Sequence, residues 1–447
     1  MSETNPRHAA PDPKAGLRAT RRVRFWVAPI VITLALLSAL AALYLGGILN
    51  PLTNLRHFPI AVVNTDAGPT GGQVVNGLVS GLDKNKYDLR VLSRAEAEHQ
   101  LDTAQVYGEV VVPPNLSSRL QTLAKSAVVP GRVDRPVIRI STNPRAGTLG
   151  ASIAGQTLTR AITVVDSRLG ERLSQEVAQQ TGGAPMPGAA SLTLAHPIEI
   201  QSGVHNALPD GTGNGLSAFY YSLLLLLAGF TGSIVVSMLV DSLLGYVPAE
   251  FGPVYRFAEQ VRISRFRTLL IKWALMAALA LLTSAVYMAI ASALGMPFGN
   301  GWALWLFGVF AIVAVGVTST SLIAVLGSIG LLVSMLVFVI LGLPSAGATV
   351  PLQAAPQFFG WLAKFEPMHQ VFLGARALLY LGGRWDAGLS QALILTAIGL
   401  LIGLLLGGIV TRIYDRRGYH RIPAVAASAP NAQAAVPAAP ATTTADE

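Results

Sequence analysis

FWVAPIVITLALLSALAALYLGGIL, Phe25 to Leu49, runs 25 residues without a charged side chain and follows a tail that carries Arg7, Lys14, Arg18, Arg21, Arg22 and Arg24. At about 1.5 Å per residue such a stretch crosses a hydrocarbon layer of ~30 Å with some tilt, and it is longer than the roughly 7 to 15 apolar residues of a cleavable signal. It predicts a retained membrane helix, with residues 1–24 as a disordered basic cytoplasmic tail. Four more apolar runs follow, Leu216–Val240, Thr268–Leu294, Trp302–Leu343 and Leu389–Thr411. The 42 residues of Trp302–Leu343 suit two crossings, and the expected break is Gly327-Ser328. Six transmembrane helices result, with both termini on one side. Lys272, close to the start of its run, is expected to snorkel toward the interface.

The whole chain agrees with that reading. Of 447 residues, 52% are hydrophobic and 12% charged, against about a quarter charged in soluble domains, which excludes an ordinary soluble enzyme. The net charge of +9 gathers beside the apolar runs. It sits in the amino tail, in loop 241–267 with Arg256, Arg262, Arg265 and Arg267, and after the last run in Arg412, Arg416, Arg417 and Arg421. That distribution marks the cytoplasmic side and speaks against a nucleic-acid partner. The absence of cysteine excludes disulfides, thiol catalysis and Cys-ligated zinc.

Residues 50–215 have a different composition, with 14 basic and 13 acidic side chains. Short β-branched runs at Ile60–Val63, Leu89–Leu92, Tyr107–Val112 and Val137–Ser141 alternate with helical stretches at Gly72–Leu82, Arg94–Gln105 and from Pro114 onward. From Arg145 to Gln180, apolar residues recur every three to five positions, which predicts one long amphipathic helix or two end to end. Residues 182–215, rich in Gly and Pro, read as a linker back to the membrane. The fold expected is therefore a membrane α-helical protein of six transmembrane helices, with a large α/β extracytoplasmic domain inserted between helices 1 and 2. Residues 216–411 form the five-helix membrane domain and 412–447 a disordered cytoplasmic tail.

Catalytic signatures are missing. No lysine follows a glycine, so no GxxxxGK[ST] phosphate loop exists, and neither HExxH nor GxSxG occurs. No catalytic residue, metal ligand or cofactor is expected, and the protein is not read as an enzyme. From Trp273 to Ala363 there is no Asp, Glu, Lys, Arg or His. A proton- or sodium-coupled carrier needs such groups near the bilayer midplane, so any transport should draw its energy from a separate partner.

Four further patterns mark candidate sites. Gly399, Gly403 and Gly407 lie on one helix face and open a groove for a neighbouring helix, in the same chain or in a second copy. Thr318-Ser-Thr-Ser321 offers hydroxyls for backbone capping or for bonds between helices. Segment 344–388, with Pro351, Pro356, Phe358, Phe359, Pro367 and Arg376, is apolar and aromatic although it lies outside the membrane runs; a re-entrant or interfacial hairpin satisfies both facts, and a loop packed on the outer domain is the alternative. Loop 241–267, with Glu250, Arg256, Glu259, Arg262 and Arg265, suits contact with anionic lipid or with a docked ATPase.

Three stretches carry a family resemblance. NPLTNLRHFPIAVVNTDAG, Asn50 to Gly68, with Asn64, Asp66 and Gly68 at its end, resembles the opening of the outer domain of phage-infection-protein (YhgE/Pip-like) membrane proteins. LPDGTGNGLSAFYY, Leu208 to Tyr221, and Ser345–Pro351 with Pro356, Phe358, Phe359, Pro367 and Arg376, are similar to their membrane half. The resemblance spans about residues 24 to 415 and places the chain beside ABC-2 type exporter permeases. It implies a plasma-membrane permease subunit that moves an amphipathic or lipidic substrate, pairs as a homodimer or heterodimer among membrane lipids, and works with a separate ATPase. The acidic, basic-flanked docking helix of such permeases has only a weak counterpart here, Glu250 and Glu259 among four arginines. The alternative is a non-transporting envelope protein whose outer domain binds a secretion, cell-wall or phage partner.

Overall fold

The structure, a computed structural model, describes residues 23–126, 134–182, 188–252, 254–256 and 258–419. Of the expected amino tail only residues 23–24 are described, and they begin a helix; of the expected carboxyl tail 412–416 continue the last helix, which corrects its start, and 420–447 lie outside the described residues. The chain opens with an apolar helix, α1 (Val23–Ile48), and enters an α/β region: β1 (Phe58–Asn64), α2 (Pro69–Gly81), β2 (Tyr87–Leu92), α3 (Arg94–Asp102), β3 (Gly108–Val112), α4 (Leu116–Ser126), β4 (Val137–Thr142), α5 (Thr148–Gln180), α6 (Gly188–Ala195) and β5 (Glu199–Val204). Local chemistry sets these boundaries. Pro69 starts α2 at a position where the missing N–H costs nothing, and the Ser93 hydroxyl accepts the Glu96 N–H at 3.2 Å to cap α3. The long amphipathic pattern becomes one 33-residue helix.

The five strands pair in the order β2-β1-β3-β4-β5, with β1 parallel to β2 and β3, β4 antiparallel to β3, and β5 parallel to β4. Strand β1, FPIAVVN, lies between β2 and β3 and is buried on both faces, which is why it reads as an unbroken apolar run. Its Phe58, Ile60 and Val62 join α2, α4 and α5 in the main core, while Ala61 and Val63 pack against Ala97 and Leu101 of α3 on the other face. Residues 188–204 correct the linker reading. Helix α6 lies so close to α5 that a Cβ on Gly170 would meet the Ala195 carbonyl, and β5 completes the sheet edge. EIQSGV lacks apolar alternation because it is an exposed edge strand, held by backbone pairing to β4.

Beyond the sheet come α7 (Leu216–Leu243), a small hairpin of β6 (Ala249–Phe251) and β7 (Val254–Arg256), α8 (Arg265–Ala293), α9 (Gly301–Leu326), α10 (Ser328–Ser345), α11 (Gln357–Leu362), α12 (Pro367–Tyr380) and α13 (Leu389–Arg416). Five of these, α7, α8, α9, α10 and α13, are long and apolar enough to cross a membrane. The break between α9 and α10 falls at Gly327, whose φ of +63° lies in the left-handed region that glycine adopts without strain. A π-helical turn over Leu336–Ile340 widens α10 near its end. The chain divides into two compact units, one of Met1–Leu224, Tyr287–Phe307 and Leu336–Thr396, the other of Leu225–Val286, Gly308–Met335 and Ala397–Glu447.

Candidate functional site: the joint between the sheet and segment 344–388

Segment 344–388 is built into the α/β region. Ala354 is a member of the main core, the Arg56 N–H donates to the Gln353 carbonyl at 2.8 Å, and the Arg56 guanidinium reaches the Ala355 carbonyl at 2.9 Å. Tyr107, stacked on Phe58 with ring centres 4.6 Å apart, donates its hydroxyl to Gln353 Oε1 at 3.1 Å. Burial pushes that phenol up to about 12, against the pull of the nearby Arg376 charge. Arg376 donates to the Ala146 carbonyl at 3.1 Å and lies 5.6 Å from the Phe372 ring centre, while its buried Nε has no hydrogen-bond partner among the described residues. Arg145 bridges the Tyr380 and Ala207 carbonyls, each at 3.0 Å, and the Tyr380 hydroxyl accepts the Ala218 N–H at the start of α7.

Two titratable groups sit inside this joint. Glu366 is 2% exposed and caps α12, accepting the His369 N–H at 2.9 Å; burial pushes its carboxyl up to about 7, against the lowering effect of the Met368 and His369 N–H groups and of nearby Ser345, whose hydroxyl donates to the Leu341 carbonyl at 2.7 Å. Its Oε1 finds no hydrogen-bond partner among the described residues. His369 donates from Nδ1 to the Ala346 carbonyl at 2.8 Å, and burial, reinforced by the Arg376 charge, pushes it down to about 4. Near pH 7 the imidazole is therefore neutral and the carboxyl half protonated, an arrangement that can take up or release a proton but holds no activated nucleophile. Neither residue was singled out by sequence reasoning; the Glu-Pro pair at the head of a helix was the available signal.

The residues predicted in this segment divide by environment. Pro351 and Phe359 are buried, with Phe359 against Gly47 of α1, and Pro367 starts α12. Pro356 precedes α11, whose neighbours Phe358, Trp361 and Phe365 are 49%, 56% and 56% exposed. The aromatic face thus coexists with packing on the sheet.

Asn64, Asp66 and Gly68 form a structural clamp. The Asn64 side-chain oxygen accepts the Asp66 N–H at 3.1 Å, and the Asp66 carboxylate accepts the Ser117 hydroxyl at 2.5 Å, the Ser117 N–H at 3.2 Å and the Gly71 N–H at 3.0 Å. One carboxylate thereby caps both α2 and α4. Burial would raise its pKa, yet the hydrogen bonds from Ser117, Gly71 and Gly68 hold it below the usual carboxylate range. A Cβ on Gly68 would collide with the Ser117 side chain.

A family model described as a protein of unknown function (DUF3533) matches residues 29–402. The chain belongs to that family. No curated protein and no solved structure matches it. The matched range begins within α1 and ends within α13, so the sheet, the joint and helices α7 to α10 lie wholly inside the DUF3533 region.

The other predicted sites of this DUF3533 protein belong to the second unit. Between α7 and α8 the chain forms the β6–β7 hairpin, which carries Glu250 and Arg256 on paired strands; their side chains lie outside the described residues. Tyr246 closes its base with bonds to the Val261 and Ile263 carbonyls. Glu259 and Arg262 are exposed. Arg265 points elsewhere: its N–H and that of Phe266 donate to Asp415 at 2.8 and 3.0 Å, and its Nε donates to the Tyr419 carbonyl at 2.6 Å. Asp415 thus caps α8, and Arg265 belongs to an internal tie.

Gly403 and Gly407 face α9 of the same chain. A Cβ on Gly403 would lie 2.7 Å from Thr318 Cα, one on Gly407 would lie 2.5 Å from Ser321 Oγ, and the Thr318 hydroxyl donates to the Gly399 carbonyl at 3.2 Å. The Thr318–Ser321 hydroxyls do both expected jobs: Thr320 and Ser321 bond back to Gly316 and Val317, and Trp273 and Ser233 reach Ser321 and Ser319. Lys272 does not snorkel. It is 2% exposed and pairs with Asp241 of α7 at 2.9 Å, because a neighbouring carboxylate satisfies the ammonium more fully than a stretched stem does.

Proposed function

We propose that this DUF3533 protein is a six-span plasma-membrane subunit of an ABC-2-like exporter, with α1 as the first span, the α/β region outside, and both termini and the β6–β7 loop in the cytoplasm. It would move an amphipathic or lipidic substrate, as one of two similar halves, on energy from a separate ATPase. Support comes from the order of parts, an apolar helix, a charged α/β insertion and five apolar helices, together with the basic flanks. The observation that carries the coupling step is the folded loop between α7 and α8, in which the β6–β7 hairpin is followed by a stretch that exposes Glu259 and Arg262 and is tied back by Tyr246 through the Val261 and Ile263 carbonyls. The resemblance to exporter permeases stands beside it as analogy of fold.

The test is capture of the full chain from its own membranes in mild detergent, with identification of any co-purifying protein that carries a Walker A loop. Such a partner should come with the wild type and be lost with Glu259→Arg at unchanged membrane level. A wild type that brings down no ATPase refutes the reading. A reporter active only in the cytoplasm should work when fused after Arg421 and fail near Asn115; the reverse pattern overturns the orientation. A second reading, an envelope protein whose outer region binds a partner, is favoured by a basic groove at the ends of β1 and β3.

A further inference from the structure

The α/β region reverses its direction of winding between β1 and β3. From β1 the chain passes through α2 to β2 on one side; from β2 it passes through α3 to β3 on the other, and the two helices cover opposite faces. In open sheets of this kind the crevice outside the carboxyl ends of the two strands at the reversal is where ligands bind. Here that crevice is a groove of about 360 Å³ beside Thr65, at the end of β1, and Pro113-Pro114, at the end of β3. Its volume lies within the range of small-molecule sites.

The chemistry of its walls is one-sided. Arg94, Arg119 and Arg139 line it, together with the amides of Asn115 and Gln201, and among the described residues no carboxylate does. Arg94 is paired with Glu98 at 3.0 Å. Arg119 and Arg139 come from different elements, α4 and β4, and among the described residues neither guanidinium makes an ion pair or a hydrogen bond. The groove stays open because α3 covers only β1 and β3 on that face, which leaves Arg139 and Gln201, cross-strand neighbours on β4 and β5, in solvent. The nearby helix ends contribute nothing, since Ser93 caps α3 and Asp66 occupies the first turn of α4. The positive charge is therefore that of the guanidinium groups, whose planar fork suits an oxyanion.

We propose that this groove binds a small oxyanionic ligand, a molecule carrying phosphate or carboxylate groups, held by Arg119 and Arg139. The proposal is independent of the exporter reading, because it concerns the α/β region alone. Its test is binding of inorganic pyrophosphate, and separately of citrate, to the full chain in neutral detergent, followed by titration calorimetry at two salt concentrations. The expected result is saturable one-to-one binding of at least one probe, weakened about tenfold by Arg119→Ala and again by Arg139→Ala, and weakened by salt. Arg168→Ala, in a separate groove, should leave it unchanged. Pyrophosphate alone binding assigns phosphate chemistry, citrate alone assigns carboxylate chemistry, and both assign a general oxyanion site. Absence of binding by either probe, or equal affinity in the wild type and the Arg119→Ala/Arg139→Ala double variant, overturns the proposal. Both arginines are exposed, so the variants should keep the wild-type circular-dichroism spectrum, and that measurement accompanies the titration.

Discussion

Replacing Glu366 by Gln should make the protein more stable at alkaline pH and reveal an acid sensitivity that the wild type conceals. Burial raises Glu366 from 4.5 to about 7, so the folded chain holds a proton that the unfolded chain has already lost between those values. Its contribution to stability is full below pH 4.5 and is lost as pH rises through about 7. His369 behaves oppositely: burial lowers it from 6.5 to about 4, so its contribution is full above 6.5 and is lost as pH falls toward 4. Each displacement corresponds to about 3 kcal/mol at about 1.4 kcal/mol per tenfold in proton affinity. From 4.5 to 6.5 the folded and unfolded chains bind the same number of protons at this pair, and the two slopes cancel. Guanidinium unfolding in neutral detergent, followed by tryptophan fluorescence from pH 4 to 8, should give a Glu366→Gln minus wild-type difference that grows by about 3 kcal/mol between pH 4.5 and 7.5. His369→Asn, which keeps a donor for the Ala346 carbonyl, should change the difference with the opposite sign, gaining toward acid. A Glu366→Gln difference that stays level within about 0.5 kcal/mol across that range would show that the carboxyl titrates normally, and the reasoning from burial would fail.

Three other outcomes follow from the geometry. Gly403→Leu should lower stability by at least 1–3 kcal/mol, roughly the cost of overpacking, whereas Gly399→Ala, with nothing within 4 Å of its Cβ position, should be near neutral; equal melting temperatures in detergent would remove α9 as the partner of that face. Asp66→Ala should cost about 2 kcal/mol, one cap for each of α2 and α4, read as a drop in melting temperature, and wild-type stability would contradict the clamp. Lys272→Met should cost roughly 3 kcal/mol by leaving Asp241 without its cation, and Lys272→Met/Asp241→Leu should recover much of that loss; a double variant as unstable as the single one would argue against the pair.

The parts legible in the sequence are those whose cause is local. A charge-free run, a glycine between two apolar stretches and a three-to-five spacing of apolar residues specify helices α1, α9, α10 and α5 without reference to anything distant. Strand β5 was hidden because an exposed edge strand needs no apolar pattern, only a neighbour to pair with. The glycine spacing in α13 specified a groove face but not its occupant, Thr318 and Ser321, which lie about 85 positions away in sequence. Lys272 read as a lone cation because its carboxylate is on another helix.

The joint was hidden for a deeper chemical reason. Arg56, Arg145 and Arg376 donate to the backbone carbonyls of Ala355, of Tyr380 and Ala207, and of Ala146. Every residue carries a carbonyl, so these acceptors leave no mark in the sequence, whereas carboxylate partners would have done. The asymmetry runs through to mutation: exchanging Ala355 or Ala146 for another small residue keeps the acceptor, while removing any of the three guanidinium groups strands a buried carbonyl and loosens the tie between the sheet and segment 344–388.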